Sequence, residues 1–394
     1  MYRSCHRVIA AMGVLAAATL GVSMPASHAA ADPHVPASCE ATAQNTPAGA
    51  MYKCTYTAPV TSTAGPLNDA ATNRVYWLHV PPNNPGNLPL LVFLHGCTQT
   101  AVDAAYGTNF NALADRVGFV VAYPQETQTQ NTSAPLADGN GTACWNWFLP
   151  EDQARGAGEP LLIAGLTQQV IDAEVSDPAR VYVDGISAGA DMSVILAATY
   201  PDIYAAFGAL AGCAYATCRD AAGSMSVQAM ADNVRVVPGF VEQGTADTLN
   251  AYPLGQGLVE SWVGALDSIE QQHGGSVSRQ PASTASYALN TPDPTSNGND
   301  PCEPRSSTFP CPGGVVGFQG SYPYTVQKYT DSAGCDVLDF WIIHGLEHAY
   351  PGGRFGGSDP TYGPMGTFTD PLGPSATTAA WDFFAAHPRG GCAG

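Results

Sequence analysis

Gly185-Ile186-Ser187-Ala188-Gly189 places a serine between two glycines, directly after the β-type run Arg180 to Asp184 and directly before the helix-forming stretch Ala188 to Thr199. A strand that turns sharply into a helix has no room for a side chain on either side of the turning residue, so both flanking positions call for glycine and the serine hydroxyl stands exposed at the turn. A serine hydroxyl is a weak nucleophile at neutral pH. It needs a base within hydrogen-bond reach and an acid that holds the base in the right tautomer. Asp247 closes Gly244-Thr245-Ala246-Asp247, just past a strand-like run, and His348 lies in a loop just past the last one, Val337 to Ile343. Ser187, Asp247 and His348 thus supply nucleophile, orienting acid and base in the chain order Ser, Asp, His.

His344 is the competing base. It directly ends its strand and is held by sheet geometry, whereas His348 has a loop to carry it across to Ser187, so His348 is preferred. His79, His273 and His387 read as packing or surface histidines. His344-Gly345-Leu346-Glu347-His348 also matches the H-x-x-E-H pattern of some zinc peptidases. Two histidines four apart share a metal only on one helix face, and this segment follows a β-rich run, contains Gly345 and meets Pro351. No metal and no cofactor are therefore expected.

The tetrahedral intermediate of acyl transfer needs two backbone N–H donors aimed at its oxyanion. Ala188, the residue after the nucleophile, supplies one. The other is expected from Cys97, in the loop His95-Gly96-Cys97-Thr98 that follows the strand Leu88 to Leu94. Cys97 enters through its backbone and not as a thiol nucleophile, because a serine apparatus is already complete.

Around these residues short β-type runs alternate with helical stretches, which indicates an α/β fold, a single domain with a largely parallel central sheet and helices on both faces; the serine turn and the order Ser, Asp, His make it an α/β-hydrolase domain. Strands are expected at Arg74 to Val80, Leu88 to Leu94, Phe119 to Tyr123, Arg180 to Asp184, Ala205 to Leu210, Val236 to Val241 and Val337 to Ile343. Helices are expected at Asn109 to Val117, Glu159 to Val175, Ala188 to Thr199 and Val259 to Gln272. The polar stretches 125–141 and 281–323 fall outside this rhythm, and 281–323 reads as a surface insertion.

The chain opens with Arg3, His6 and Arg7 before the apolar run Val8 to Val22, then small residues ending in Ser27-His28-Ala29, the pattern of a secretory signal peptide spanning 1–29. A Pro/Ala-rich lead-in, 30–73, separates it from the catalytic domain, 74–394. Of the 11 cysteines, only Cys5 falls within that leader, which leaves an even number for disulfides in an exported protein. Cys39 with Cys54, Cys213 with Cys218 and Cys302 with Cys311 would close short loops, but spacing leaves the connectivity open. Charged residues make up 12% of the chain, the formal net charge is −19, and Lys53 and Lys328 are its only lysines. Such a surface repels nucleic acid, and no run past the leader reaches the ~20 apolar residues of a membrane span. A secreted monomer acting on neutral substrates is expected.

Leu91-Val92-Phe93-Leu94-His95-Gly96-Cys97-Thr98-Gln99, Ala112 to Phe119, Cys144-Trp145-Asn146-Trp147-Phe148, Gly185 to Gly189, Gly244 to Asp247 and His348-Ala349-Tyr350-Pro351-Gly352-Gly353 occur in that order. Together they make the chain resemble the extracellular poly(3-hydroxybutyrate) depolymerase family of esterases, which also includes feruloyl and acetylxylan esterases. The resemblance implies the triad and oxyanion roles given above, a Cys97–Cys144 disulfide, and Trp145 and Trp147 beside the catalytic serine, lining an ester-binding cleft. Tyr350 stands where such relatives usually place Trp and is assigned to the same cleft. The resulting expectation is a serine ester hydrolase acting on an aliphatic polyester or its oligomers. A feruloyl or acetylxylan esterase is the alternative, and a non-catalytic secreted binding protein a third reading.

Overall fold

Side chains alternate along the central strands between two cores. The computed structural model describes residues 34–42, 50–59, 73–127, 141–288, 322–359 and 363–392. The expected leader, most of both polar stretches, and Cys302 and Cys311 lie outside the described residues. In β4 (Leu88–Leu94) the side chains of Leu90, Val92 and Leu94 enter one core, and those of Leu91 and Phe93 the other. In β6 (Ser176–Gly185), Val181 and Val183 face the first core and Tyr182 the second. A strand buried on both faces reads as a continuous apolar run, as these do.

In chain order the other strands of the sheet are β1 (Cys39–Ala41), β2 (Ala50–Thr57), β3 (Asn73–Val80), β5 (Val120–Pro124), β7 (Ala206–Leu210), β8 (Gly239–Gly244), β9 (Ser283–Tyr287), β10 (Tyr324–Thr330) and β11 (Asp336–Ile343). They form an 11-stranded sheet in the order β1-β2-β3-β5-β4-β6-β7-β8-β11-β10-β9. From β5 to β11 every neighbouring pair is parallel, and the pairs outside that block are antiparallel. The parallel centre matches the expected α/β-hydrolase architecture, while the antiparallel wings were not anticipated. Strands β1 and β2 come from the segment read as a lead-in, where the Cys39–Cys54 disulfide joins paired positions of the two strands.

Helices α3 (Gly158–Asp172), α4 (Ala188–Thr199) and α7 (Tyr252–Gln272) cover one face of the sheet. Helices α1 (Ala101–Thr108), α2 (Phe110–Val117) and α8 (Ala376–Ala385) cover the other. Every residue of α4 is buried, and its polar side chains Asp191, Ser193 and Thr199 are each hydrogen-bonded there. Each fully buried Leu, Val or Phe in these layers contributes roughly 1.5–3 kcal/mol.

Boundaries move where backbone chemistry intervenes. Helix α3 stops short of the expected Val175, and Glu174 turns left-handed with φ 58°. Strand β8 starts at Gly239 instead of Val236, beyond Pro238, which has no N–H to give a ladder. Disulfides Cys97–Cys144, Cys213–Cys218 and Cys335–Cys392 complete the described bridges.

Candidate active site

Ser187 sits between β6 and α4 with φ 58° and ψ −122°, a conformation that costs a residue with a side chain about 1–3 kcal/mol and persists only when its surroundings enforce it. They do so here. Its N–H donates to the Leu210 carbonyl at 2.9 Å and its carbonyl accepts from the Asp191 N–H at 3.0 Å. A Cβ on Gly189 would overlap the Leu94 carbonyl, and one on Gly185 would meet the Gly189 carbonyl carbon at 2.5 Å. Both glycines are therefore steric requirements of the turn.

Asp247 and His348 follow β8 and β11, at the same carboxyl edge of the sheet as Ser187. The His348 Nδ1–H donates to Asp247 Oδ2 at 2.7 Å, and the backbone N–H groups of Leu249 and Asn250 donate to Asp247 Oδ1 at 2.9 and 2.8 Å. With Nδ1 carrying the proton, His348 Nε2 keeps its lone pair and can act as a base. The Asn250 amide donates to the Ala211 carbonyl, next to the Leu210 carbonyl that holds Ser187. His344 is exposed, with Nε2 2.9 Å from Thr325 Oγ1 on β10. The two histidines of the H-x-x-E-H match thus take separate partners, and the shared helix face that a zinc site requires does not form.

The loop after β4 carries Cys97. Gly96 lies against Ser187: a Cβ on it would be 3.4 Å from Ser187 Cβ. His95 is fully buried, and burial pushes its imidazole down to about 4, so the ring is neutral. The Glu126 N–H can only donate, and it reaches His95 Nε2 at 3.0 Å, so the ring proton sits on Nδ1, 2.8 Å from the Gly96 carbonyl. Because a trans peptide points its N–H opposite to its C=O, the Cys97 N–H is turned away from His95. Among the described residues neither the Cys97 N–H nor the Ala188 N–H donates a hydrogen bond. Two uncommitted donors beside a serine are the requirement for an oxyanion hole.

Trp145 and Tyr350 correct the expectation of a cleft lined by three aromatics. Trp145 is fully buried, donating Nε1–H to the His95 carbonyl at 3.0 Å, with the Arg74 guanidinium 5.5 Å from its ring. It braces the loop that carries Cys97 from behind. Tyr350 is 2% exposed and packs on Phe93 and Phe110. Trp147 is half-buried beside Phe148, which is 43% exposed.

Sequence reasoning missed the polar supports. Arg74 pairs with Glu126 at 2.6 Å, and Glu159 accepts from the Asn146 N–H at 2.7 Å and its amide at 2.9 Å, fixing the loop that the Cys97–Cys144 bridge ties to the loop after β4. Burial pushes the Glu126 and Glu159 carboxyls up. In a chain this poor in charge, a glutamate within two residues of a strand end was the available signal. The Gln99 side chain accepts from the Gly96 N–H at 2.8 Å and donates to the Thr367 carbonyl at 2.8 Å, so the loop after β4 is tied to a segment 268 residues away.

Asp184 and Asp191 flank the turn. Burial pushes their carboxyls up to about 7 and about 8, with one backbone N–H accepted by each opposing the shift. The folded state then holds protons that an unfolded chain releases above about pH 4. The stability these two carboxyls contribute is full below about pH 4 and is lost as pH rises through about 7 and about 8, by up to about 1.4 kcal/mol per pH unit for each. Urea midpoints measured from pH 5 to 8.5 should decline, and Asp191→Asn, which keeps an acceptor for the Cys213 N–H, should flatten the decline. A rising midpoint would contradict the account.

A cavity of 1140 Å³ lined by Arg235, Lys328, Asp339, Trp341 and His387, among others, lies at the opposite end of β8 and β11 and contains none of Ser187, Asp247 or His348. Among the described residues no helix is long and apolar enough to cross a membrane.

A parallel sheet with a serine at a strand–helix turn, and an acid–histidine pair after two later strands, defines the α/β-hydrolase class. A family model described as Esterase PHB depolymerase matches residues 74–271, and the chain belongs to that family. The chain is 44% identical over 144 residues to a poly(3-hydroxyalkanoate) depolymerase C of Paucimonas lemoignei, a match covering 36% of this chain and 32% of that protein. It is 34% identical over 154 residues to acetylxylan esterase A of Emericella nidulans, covering 38% and 47% of the two chains. With feruloyl esterase B of Neurospora crassa the identity is 32% over 154 residues, covering 39% and 49%. The matches span less than half the length of each of these relatives.

Proposed function

We propose that this protein is a secreted serine ester hydrolase that cleaves an aliphatic polyester of the poly(3-hydroxyalkanoate) type, or its oligomers, through an acyl-enzyme on Ser187. Ser187 Oγ attacks the ester carbonyl carbon while its proton passes to His348 Nε2. The oxyanion gathers the N–H groups of Ala188 and Cys97, and Asp247 stabilises the imidazolium. Collapse breaks the acyl–oxygen bond, and His348 returns the proton to the departing alkoxide. Water, deprotonated by His348, then attacks the acyl-enzyme, and the acid leaves with Ser187 regenerated.

The observation that carries the reading is the pairing of Asp247 with His348 beside exposed apolar side chains. Leu249, two residues past Asp247, is 66% exposed, and Phe368, whose ring centre is 6.0 Å from that of His348, is 40% exposed. A neutral polyester offers short alkyl groups between its carbonyls, and apolar rim side chains receive those alkyl groups without desolvating polar groups of their own. The depolymerase named above is in keeping with this reading. The acetylxylan and feruloyl esterases support an alternative on the same residues, in which the ester is linked to a plant polymer. The leader pattern and the disulfides favour work outside the cell.

The purified protein should clear an amorphous poly(3-hydroxybutyrate) suspension and release hydroxyacid oligomers faster than it releases ferulate from methyl ferulate. Release of ferulate or xylan-bound acetate without clearing, at high enzyme loading, would transfer the assignment to the alternative.

A further inference from the structure

Phe368 is costly in two ways. It is a residue with a bulky side chain at φ 50°, in the left-handed region that L side chains avoid, and its ring is 40% exposed. Neither feature serves the core. The segment nevertheless holds it firmly from both sides. The Phe368 carbonyl accepts from the Tyr350 N–H at 2.7 Å, where β12 (Tyr350–Pro351) runs parallel to β15 (Thr369–Asp370). Its neighbour Thr367 donates its N–H to Asp103 Oδ1 at 2.9 Å and accepts from Gln99 at 2.8 Å.

These anchors close a circuit. Ser187 lies against Gly96, Gly96 bonds Gln99, and Gln99 bonds Thr367. Phe368 packs on His348, His348 bonds Asp247, and Asp247 and Asn250 lead back to Ala211 and to the Leu210 carbonyl that holds Ser187. Phe368 is the exposed apolar member of that circuit on the side of the base, and its ring stands at 80° to the imidazole.

His348 Nε2 carries the proton to the oxygen that leaves, so the carbons of the leaving alcohol are the substrate atoms that pass closest to the imidazole. The acyl chain extends from a carbonyl whose oxygen points the other way, toward Ala188 and Cys97. We propose that Phe368 forms the wall of the leaving-alcohol subsite and makes the enzyme select esters with an apolar alcohol portion, such as the hydroxyacyl end of an aliphatic polyester. This rests on the ester-hydrolase reading above and adds to it which half of the ester is selected, and by which residue.

The test is two series of soluble alkyl esters, followed by titration of released acid: butyrates of methanol through butanol, and methyl esters from acetate through hexanoate. kcat/KM for such esters reports acylation, the step in which the alcohol leaves. The parent should gain about fourfold per alcohol methylene, the scale on which burying one such group acts. Phe368→Ala should flatten the alcohol series and leave the acyl series with its parental slope, and Phe368→Leu should restore the alcohol slope. Phe368→Gly, which accepts the same φ without strain, should match the alanine variant and guards against misfolding as the cause.

A drop of equal size in both series for Phe368→Ala and Phe368→Gly would overturn the proposal, because a ring that only shields the Asp247–His348 pair acts on every ester alike. An unchanged alcohol slope in the variants would overturn it too. A parent that hydrolyses neither series defeats the ester-hydrolase reading itself, an outcome distinct from either.

Discussion

Ser187→Ala is expected to lower ester turnover by about 10⁶, the scale on which loss of a serine nucleophile acts, while the protein unfolds at the parental temperature. His348→Ala should lose a comparable factor, and Asp247→Asn about 10⁴, because the amide supports the wrong imidazole tautomer. His344→Ala should stay near the parental rate, since its ring faces Thr325 and not Asp247. The double variant Ser187→Ala/His348→Ala should be scarcely worse than either single one, as groups that act as a unit are not additive. Circular dichroism alongside initial rates separates these effects from misfolding. An active, folded His348→Ala together with an inactive His344→Ala would reverse the assignment of the base.

Gly189→Ala should have the largest effect on stability. The added Cβ would overlap the backbone carbonyl of Leu94 in β4, and the next nearest backbone atoms belong to Leu94 and His95. No flexible side chain can yield there, so α4 must lift away from the sheet it covers. A loss above about 4 kcal/mol is expected, the range reached by overpacking against an immovable core. Recovery of the variant in inclusion bodies, or a collapsed urea midpoint, would agree. A soluble variant with the parental midpoint would show that the helix and strand are not in the tight contact described.

The elements that were legible are those whose burial is written into a run of residues. Leu88–Leu94 and Ala188–Thr199 were read with the bounds they have, because the first is a continuous apolar run and the second starts directly after the glycine-flanked serine and ends at Tyr200-Pro201. The antiparallel wing β9-β10 was missed: Ser283–Tyr287 is almost entirely exposed, and its register depends on pairing with Tyr324–Thr330 across a long separation. Ser187 was legible because its chemistry forces glycine at 185 and 189. Phe368 was not. Its place beside the base comes from its ring's contact with His348 and from the bonds of its neighbour Thr367 to Gln99 and Asp103, and nothing adjacent to it in the chain marks an exposed, left-handed phenylalanine. The cleft role that the resemblance implies for Trp145 fails for the same reason, since only the fold shows Arg74 and His95 packed against its indole. Tyr350 likewise faces Phe93 beneath the sheet edge, where alternation after a strand end gave no guide to its direction.

The most direct test of the account is covalent labelling of the nucleophile. An alkyl fluorophosphonate incubated with the native protein should add one phosphonyl group per chain, on the peptide containing Ser187, with ester turnover lost in proportion to labelling. His348→Ala should label far more slowly, and Ser187→Ala not at all. Full ester turnover in a protein that takes up no label, or stoichiometric label on a residue other than Ser187, would contradict the assignment.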